Sequence, residues 1–241
     1  VVANNSDDLA DKVRLYTSCL EGGGIDIHTG IKMQGWQRLE MHFKRGNALF
    51  GLGRHSEAMV DYDLFIAKSG GHVWAYHQRG LTRLAMGQNQ KAVDDFDEAL
   101  KQNPDAIAVR YDRGSTLAKM GRYQLALEDL RRAASLSPET ALFVNELAWL
   151  LATCPIPDIQ NGNEAINFAR KAVSIERSAS HLDTLAAALA RAGDFVQAVQ
   201  IQTEAIEQLQ KERAEQNYIN VFKRRLNLYS ESKPYTEDMA N

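Results

Sequence analysis

Lys44-Arg45-Gly46-Asn47-Ala48-Leu49, Gln78-Arg79-Gly80-Leu81-Thr82-Arg83 and Asp112-Arg113-Gly114-Ser115-Thr116-Leu117 are one pattern written three times. Gly46, Gly80 and Gly114 stand 34 residues apart. Seven residues after each comes a second glycine (Gly53, Gly87, Gly121), and five beyond that an alanine (Ala58, Ala92, Ala126). Pro104 and Pro138 close two of the units at the same interval. A fixed period of this size marks a repeat array, in which each unit is one supersecondary element that buries its apolar face against the next.

The pattern continues with substitutions. Ala148 and Ala165 take the small-residue places in a fourth unit, and Ala186, Gly193 and Ala198 take them in a fifth. The step from Gly114 to Ala148 is still 34 residues, whereas the step from Ala148 to Ala186 is 38 because a loop is inserted around Cys154-Pro155-Ile156-Pro157-Asp158. Loops take such insertions at small entropic cost.

Each unit reads as two helices. In the third unit the first runs from about Ala106 to Met120 and ends on Gly121, and the second runs from Tyr123 to Ser135 with Pro138 just beyond the stop. The small residue inside each first helix lets the second helix of the unit come close. A larger side chain there would overpack the contact. Asp7 to Leu20 reads as an orphan amphipathic helix, followed by a Gly22-Gly23-Gly24 break. Glu212 to Tyr229 reads as a capping helix with Ile219, Phe222, Leu226 and Tyr229 on one apolar face and Lys223, Arg224 and Arg225 facing water. The expected layout is one solenoid domain over 1–241. It has a helix at 7–20, repeat units at 39–72, 73–106, 107–140, 141–178 and 179–212, and a cap at 212–230.

The totals agree with a folded chain. Of 241 residues, 44% are hydrophobic and 24% charged, enough to bury a core. The net charge of −3, with no basic block, gives no reason to expect nucleic acid as a partner. No apolar run approaches the roughly 20 residues of a membrane span, and no secretory leader is legible. Cys19 and Cys154 do not form a disulfide framework. The histidines lack the spacing of a helical zinc site, and Asp94-Asp95-Phe96-Asp97-Glu98 lacks the glycine and distal glutamate of a calcium loop. No nucleophile motif is present. The expectation is no metal, no cofactor and no enzymatic activity.

The period, the paired helices and the small-residue, glycine and proline signature resemble the tetratricopeptide-repeat family over about residues 39–210. The stretches Asn145 to Pro155, Leu182 to Ala188, Gly193-Asp194-Phe195 and Lys233-Pro234-Tyr235 further resemble the C-terminal part of a bacterial subgroup, whose members lean toward export. The resemblance implies an all-α fold, a right-handed superhelical solenoid of antiparallel helix pairs. Gly70 and Arg177 stand where the closing proline is usual, and Arg83 stands where an apolar residue is usual.

In that family the first helices line a concave groove that holds a protein or peptide. Carried over, the groove residues are Glu40, Phe43, Asn47 and Phe50; Trp74, His77, Leu81 and Leu84; Ala108, Tyr111 and Ser115; Leu142, Asn145 and Trp149; and Ser180, Asp183 and Arg191. Aromatic anchors with polar neighbours suit a peptide, although Trp74 and Trp149 also suit packing between helices. The places of a carboxylate clamp hold Phe43, Asn47, Gln78, Ala108 and Asp112, of which only the asparagine fits. A self-assembling module is the competing reading, by stacking of end helices. Finally, Arg45, Arg79 and Arg113 precede the three glycines, and Asp61, Asp95 and Asp129 recur 34 apart on the second helices. A ladder of structural Arg–Asp pairs is expected, since the planar guanidinium meets a carboxylate at two points.

Overall fold

The computed structural model describes residues 2–22 and 33–237. Gly23, Gly24 and His28 lie outside the described residues. Among the described residues every regular element is a helix: α1 (Val2–Glu21), α2 (Gly35–Gly51), α3 (His55–Ser69), α4 (Val73–Ala85), α5 (Asn89–Gln102), α6 (Ile107–Lys119), α7 (Tyr123–Leu136), α8 (Ala141–Thr153), α9 (Gly162–Ile175), α10 (Ala179–Arg191), α11 (Phe195–Lys211) and α12 (Gln216–Ser230). None is long and apolar enough to cross a membrane.

The chain forms two compact units, Val1–Asp112 and Arg113–Asn241, with the boundary inside α6. In the first, α1 packs on α2, α2 on α3, α3 on α4 and α4 on α5. In the second, α7 packs on α8, α8 on α9 and α10, α10 on α9 and α11, and α11 on α12. These pairings join helices close in sequence, the pattern of stacked hairpins. The core is correspondingly a series of small clusters. One gathers Val13, Ala48, Leu49, Ala58 and Tyr62. A second gathers Ala92, Phe96, Ala99, Leu100, Ala106 and Val109. A third, under α12, gathers Leu182, Ala205, Ile206, Leu209, Ile219 and Phe222.

Two series of glycines serve two different physical needs. Gly87 follows the end of α4 with φ +72°, and a Cβ there would meet nothing within 4 Å. Its role is the left-handed turn, which lets the Gln88 amide donate to the Arg83 carbonyl at 2.8 Å and satisfies one of the helix's orphan acceptors. Gly80 is the opposite case. It is ordinary helix, but a Cβ would lie 2.5 Å from Phe96 Cε1. At Gly46 the same atom would lie 2.8 Å from the Tyr62 ring, and at Gly114 3.0 Å from Leu130 Cγ. The missing side chain is what lets the second helix seat a large buried residue directly on the first.

Some boundaries and side chains depart from the sequence reading. Glu212 caps α11, and Arg213 turns left-handed at φ 56°, so α12 starts at Gln216. Gly70, in place of a closing proline, ends α3 with φ 77°. Arg83, in place of an apolar residue, points its Nη1 at Asp95 Oδ2, 2.8 Å away.

Beside each glycine a buried carboxylate is held by an arginine. Arg45 donates to both oxygens of Asp61 at 2.8 Å. Arg79 Nη2 donates to Asp95 at 2.6 Å while its Nη1 reaches Asp63 at 2.6 Å. Arg113 donates to Asp129 at 2.6 and 2.8 Å. All three aspartates are buried, so each carboxylate has exchanged its water for a two-point guanidinium contact. Such a pair adds little net stability over an apolar pair, but removing one partner strands the other.

These contacts set the cost of substitution. Gly80→Ala gains about 1 kcal/mol of helix propensity but drives a methyl into a ring with no room to retreat, so a net loss of about 1–3 kcal/mol is expected. Gly114→Ala meets a looser contact and is expected to stay within about 1 kcal/mol of the parent. Urea unfolding checks the order of the two. Arg113→Ala, which strips a buried carboxylate of its guanidinium, is expected to cost about 3 kcal/mol or more. Glu204→Ala, which breaks the exposed Arg177–Glu204 pair, is expected to cost under about 1 kcal/mol. Equal costs would refute the distinction.

Candidate peptide-binding site

In the first unit the residues carried over from the family meet different fates. Phe43 is half-buried, its ring 5.9 Å from Tyr62 and 5.2 Å from Phe65, so it packs the seam between α2 and α3. Asn47 accepts the Tyr62 hydroxyl at 2.8 Å, and Phe50 lies 5.5 Å from the His55 ring. Glu40 pairs with Lys44 one turn along the helix. Leu81 and Leu84 pack on the Phe96 cluster. Ala108 and Tyr111 are half-buried. His77 is buried rather than presented on a groove. Its Nε2 sits 2.6 Å from Asp112 Oδ2, because an imidazole facing a carboxylate gains more from that contact than from water. Trp74 is half exposed, with its ring 6.0 Å from His77. A further open feature is an apolar hollow of about 270 Å³ lined by Trp36, Leu39, Glu40, Phe65 and Ser69, in which Trp36 is 65% exposed.

The second unit is more built. Ser115 donates to Glu146 at 3.0 Å. Asn145 is half-buried, while Leu142 and Ser180 are exposed. Asp183 is buried and accepts Gln202 at 2.7 Å and Arg225 at 2.8 Å, with Arg225 Nη2 2.7 Å from its second oxygen. Two sequence expectations therefore change. Asp183 does not line a groove, and Arg225 does not face water with Lys223 and Arg224. Folding α12 over α10 would leave the Asp183 carboxylate buried alone, and Arg225 is the cation that neutralises it.

Arg225 also lies 5.3 Å above the Trp149 ring and 5.4 Å from Tyr235. Tyr235 belongs to the segment after α12. Ser232 turns left-handed at φ 57°, Lys233 N donates to Leu228 O, and residues 233–237 then run without helix back across α8 and α10. Tyr235 stands 5.9 Å from Trp149. Arg191 Nη2 donates to the Tyr235 carbonyl and to the Thr236 hydroxyl, both at 2.7 Å. Trp149 Nε1 donates to Glu237 Oε1 at 3.1 Å, and the Glu237 amide donates to Thr153 O at 2.8 Å.

The end of α8 explains why this segment finds acceptors there. A helix leaves its last carbonyls without partners. The other first helices close on a left-handed glycine, but α8 closes on Cys154-Pro155, and proline has no N–H to give. Its last acceptors are met partly by the helix's own end and partly from other segments. Trp149 O takes the Thr153 hydroxyl, Leu150 O the Cys154 amide, and Leu151 O the Asn161 amide. Ala152 O takes Arg191 Nε at 2.6 Å, and Thr153 O takes the Glu237 amide. The sequence reading named Trp149 and Arg191 but missed Tyr235 and Glu237. The legible signal was a proline where the period asks for a glycine.

Among the described residues no three His, Cys, Asp or Glu side chains converge as metal ligands. Both cysteines are free and buried, and burial pushes the Cys154 thiol up. Burial also raises the Glu146 carboxyl, against the Ser115 hydroxyl and Lys119, and the nearby Glu237 raises it further. The folded state thus favours neutral Glu146. That contribution is complete below the ordinary glutamate value of 4.5 and is lost as pH rises through the higher folded value. Glu146→Gln has nothing to lose. Its stability relative to the parent is expected to improve as pH rises above the ordinary glutamate value of 4.5 in thermal melts; a difference independent of pH would contradict the assignment.

Residues 77–141 and 111–153 match the family model described as tetratricopeptide repeat. No curated protein matches the sequence. Among solved structures, MamA from Desulfovibrio magneticus RS-1 superposes with a TM-score of 0.64 at 21% identity, over 72% of this chain and 96% of that one. YrrB, a TPR protein described as having an unusual peptide-binding site, gives 0.63 at 18% identity over 81% and 92%. A thermophilic TPR protein of Thermus thermophilus, TTC0263, gives 0.56 at 16% over 80% and 98%. The tetratricopeptide-repeat match thus covers the central stretch, residues 77–153, and the fold is the all-helical, tetratricopeptide-like stack of hairpins.

Proposed function

We propose that this chain is a non-catalytic interaction scaffold that binds an extended protein or peptide segment on the faces of its first helices. The observation that supports this most directly is the course of residues 233–237 over α8 and α10. There an extended stretch is held by one main-chain hydrogen bond, by Arg191 and by an aromatic contact. These are the means by which a peptide is held generally: backbone bonds for affinity, and a pocket for an alternate side chain for selectivity. In the first unit, the half-exposed Trp74 and the hollow beside Trp36 offer apolar surface of the type that anchors partners. Likeness to YrrB, which is described as having a peptide-binding site, points the same way. The stretches 145–155, 182–188, 193–195 and 233–235 support placing the chain in the bacterial tetratricopeptide-repeat subgroup.

The test is an immobilised array of short peptides probed with the full chain and with Trp74→Ala. Trp74 is the better probe than Phe43, whose ring is part of the α2–α3 seam. Loss of an aromatic anchor is expected to weaken binding at least about tenfold with an unchanged melting temperature. A chain that binds no peptide above scrambled controls, and whose mass by light scattering grows with concentration, would instead be a self-assembling module.

A further inference from the structure

The segment over α8 and α10 is seated in a receptor that the rest of the chain builds without it. Arg191 is fixed by its own bonds to Ala152 O and Gln160 Oε1, at 2.6 and 3.2 Å. Arg225 is fixed by Asp183. The Thr153 carbonyl is the last acceptor of α8, beyond which no further helical turn supplies a donor, and Trp149 presents both a ring and an N–H donor. Four groups on α8, α10 and α12 thus offer one backbone acceptor, one forked donor, one side-chain donor and one aromatic wall.

The occupant holds on weakly by comparison. Lys233, Pro234 and Thr236 are exposed, and only Tyr235 and Glu237 are partly covered. Segments with so few buried contacts open at low free-energy cost. Removing the segment would strip the Thr153 carbonyl and half of the Arg191 fork of their partners, so an empty site is also unfavourable. A site that is costly to leave empty but loosely filled is suited to exchange.

We infer that Lys233–Glu237 is a displaceable internal ligand, and that the site it covers recognises a partner segment of the same chemistry: an aromatic residue, a hydroxyl residue and a side-chain acceptor (Glu or Gln) in succession. This rests on the binding reading above and adds to it both the partner's chemistry and a built-in competitor. The aromatic ring packs beside Trp149 and under the Arg225 guanidinium. Arg191 reads the following carbonyl and hydroxyl. The third residue gives its amide to Thr153 O and its side chain to Trp149 Nε1.

The test uses a fluorescein-labelled peptide of residues 232–237, Ser-Lys-Pro-Tyr-Thr-Glu, with both ends blocked, titrated with three full-length proteins and read by anisotropy. They are the native chain, a Tyr235→Ala/Glu237→Ala variant whose tail no longer competes, and that variant carrying Trp149→Phe. A tethered segment acts at an effective concentration on the order of mM. A peptide with Kd about 100 μM should therefore bind the loosened variant about tenfold more tightly than the native chain. Trp149→Phe keeps the ring but loses the donor, and should weaken that binding severalfold. Equal binding to the native and loosened chains would show that the tail does not compete, leaving the scaffold reading intact. No binding to either would overturn the internal-ligand inference, while the peptide array with Trp74→Ala still decides the scaffold reading by itself. A dimer in light scattering that Tyr235→Ala abolishes would mean that the tail is exchanged between copies, and would overturn the internal arrangement.

Discussion

The bare helical backbone at Gly80, pressed onto the ring of Phe96, sets the terms for its hairpin. The 2.5 Å between that ring and where a methyl would stand leaves no freedom in the spacing of α4 and α5. Gly46 on Tyr62 and Gly114 on Leu130 repeat the arrangement. Once the two helices approach that closely, a polar group on the second is sealed from water. Asp61, Asp95 and Asp129 are buried for this reason, and each must bring its cation along. The arginine one residue before each glycine is placed to reach it. The ion-pair ladder is therefore a consequence of the close approach and not a separate source of stability. It fixes which face of the second helix meets the first, because any rotation would leave a charge stranded.

The same logic explains what the sequence could and could not disclose. A period of 34 is carried by residues that act within one hairpin, so the glycines, the alanines and the Arg–Asp partners are all visible as a repeat. Asp183 and Arg225 are 42 residues apart and occur once. No periodicity relates them, and Arg225 sits in a basic run, Lys223-Arg224-Arg225, that looks like a solvated helix face. Only the docking of α12 makes one of the three a buried cation. His77 was misleading in a related way. Its place in the repeat is a groove place, but Asp112 stands within reach of its Nε2, and a specific partner outweighs the average environment of a position.

Departures from the repeat prove more informative about binding than adherence to it. Where the pattern holds, as at α4 with Gly87, the turn itself supplies donors to the Thr82, Arg83 and Leu84 carbonyls. At α8 the insertion replaces the glycine with Cys154-Pro155, and the acceptors have to be met by a hydroxyl, by an amide from the loop, by Arg191 and by the chain after α12. A backbone acceptor that the local turn cannot satisfy is one that another strand of polypeptide can.

That difference separates two kinds of aromatic on the first helices. Phe43 and Phe50 pack against the second helix of their own hairpin, and their value is largely spent on the fold. Trp149 faces a cation, a tyrosine and a carboxylate from outside its hairpin, and its indole N–H has a partner only because the chain returns to it. An indole placed between a fixed guanidinium and an unsatisfied helix end is poorly explained by packing alone, since a leucine would fill the volume without requiring an acceptor. The arrangement is explained if what lies on Trp149 is polypeptide, supplied by the chain itself until a better-matched segment arrives.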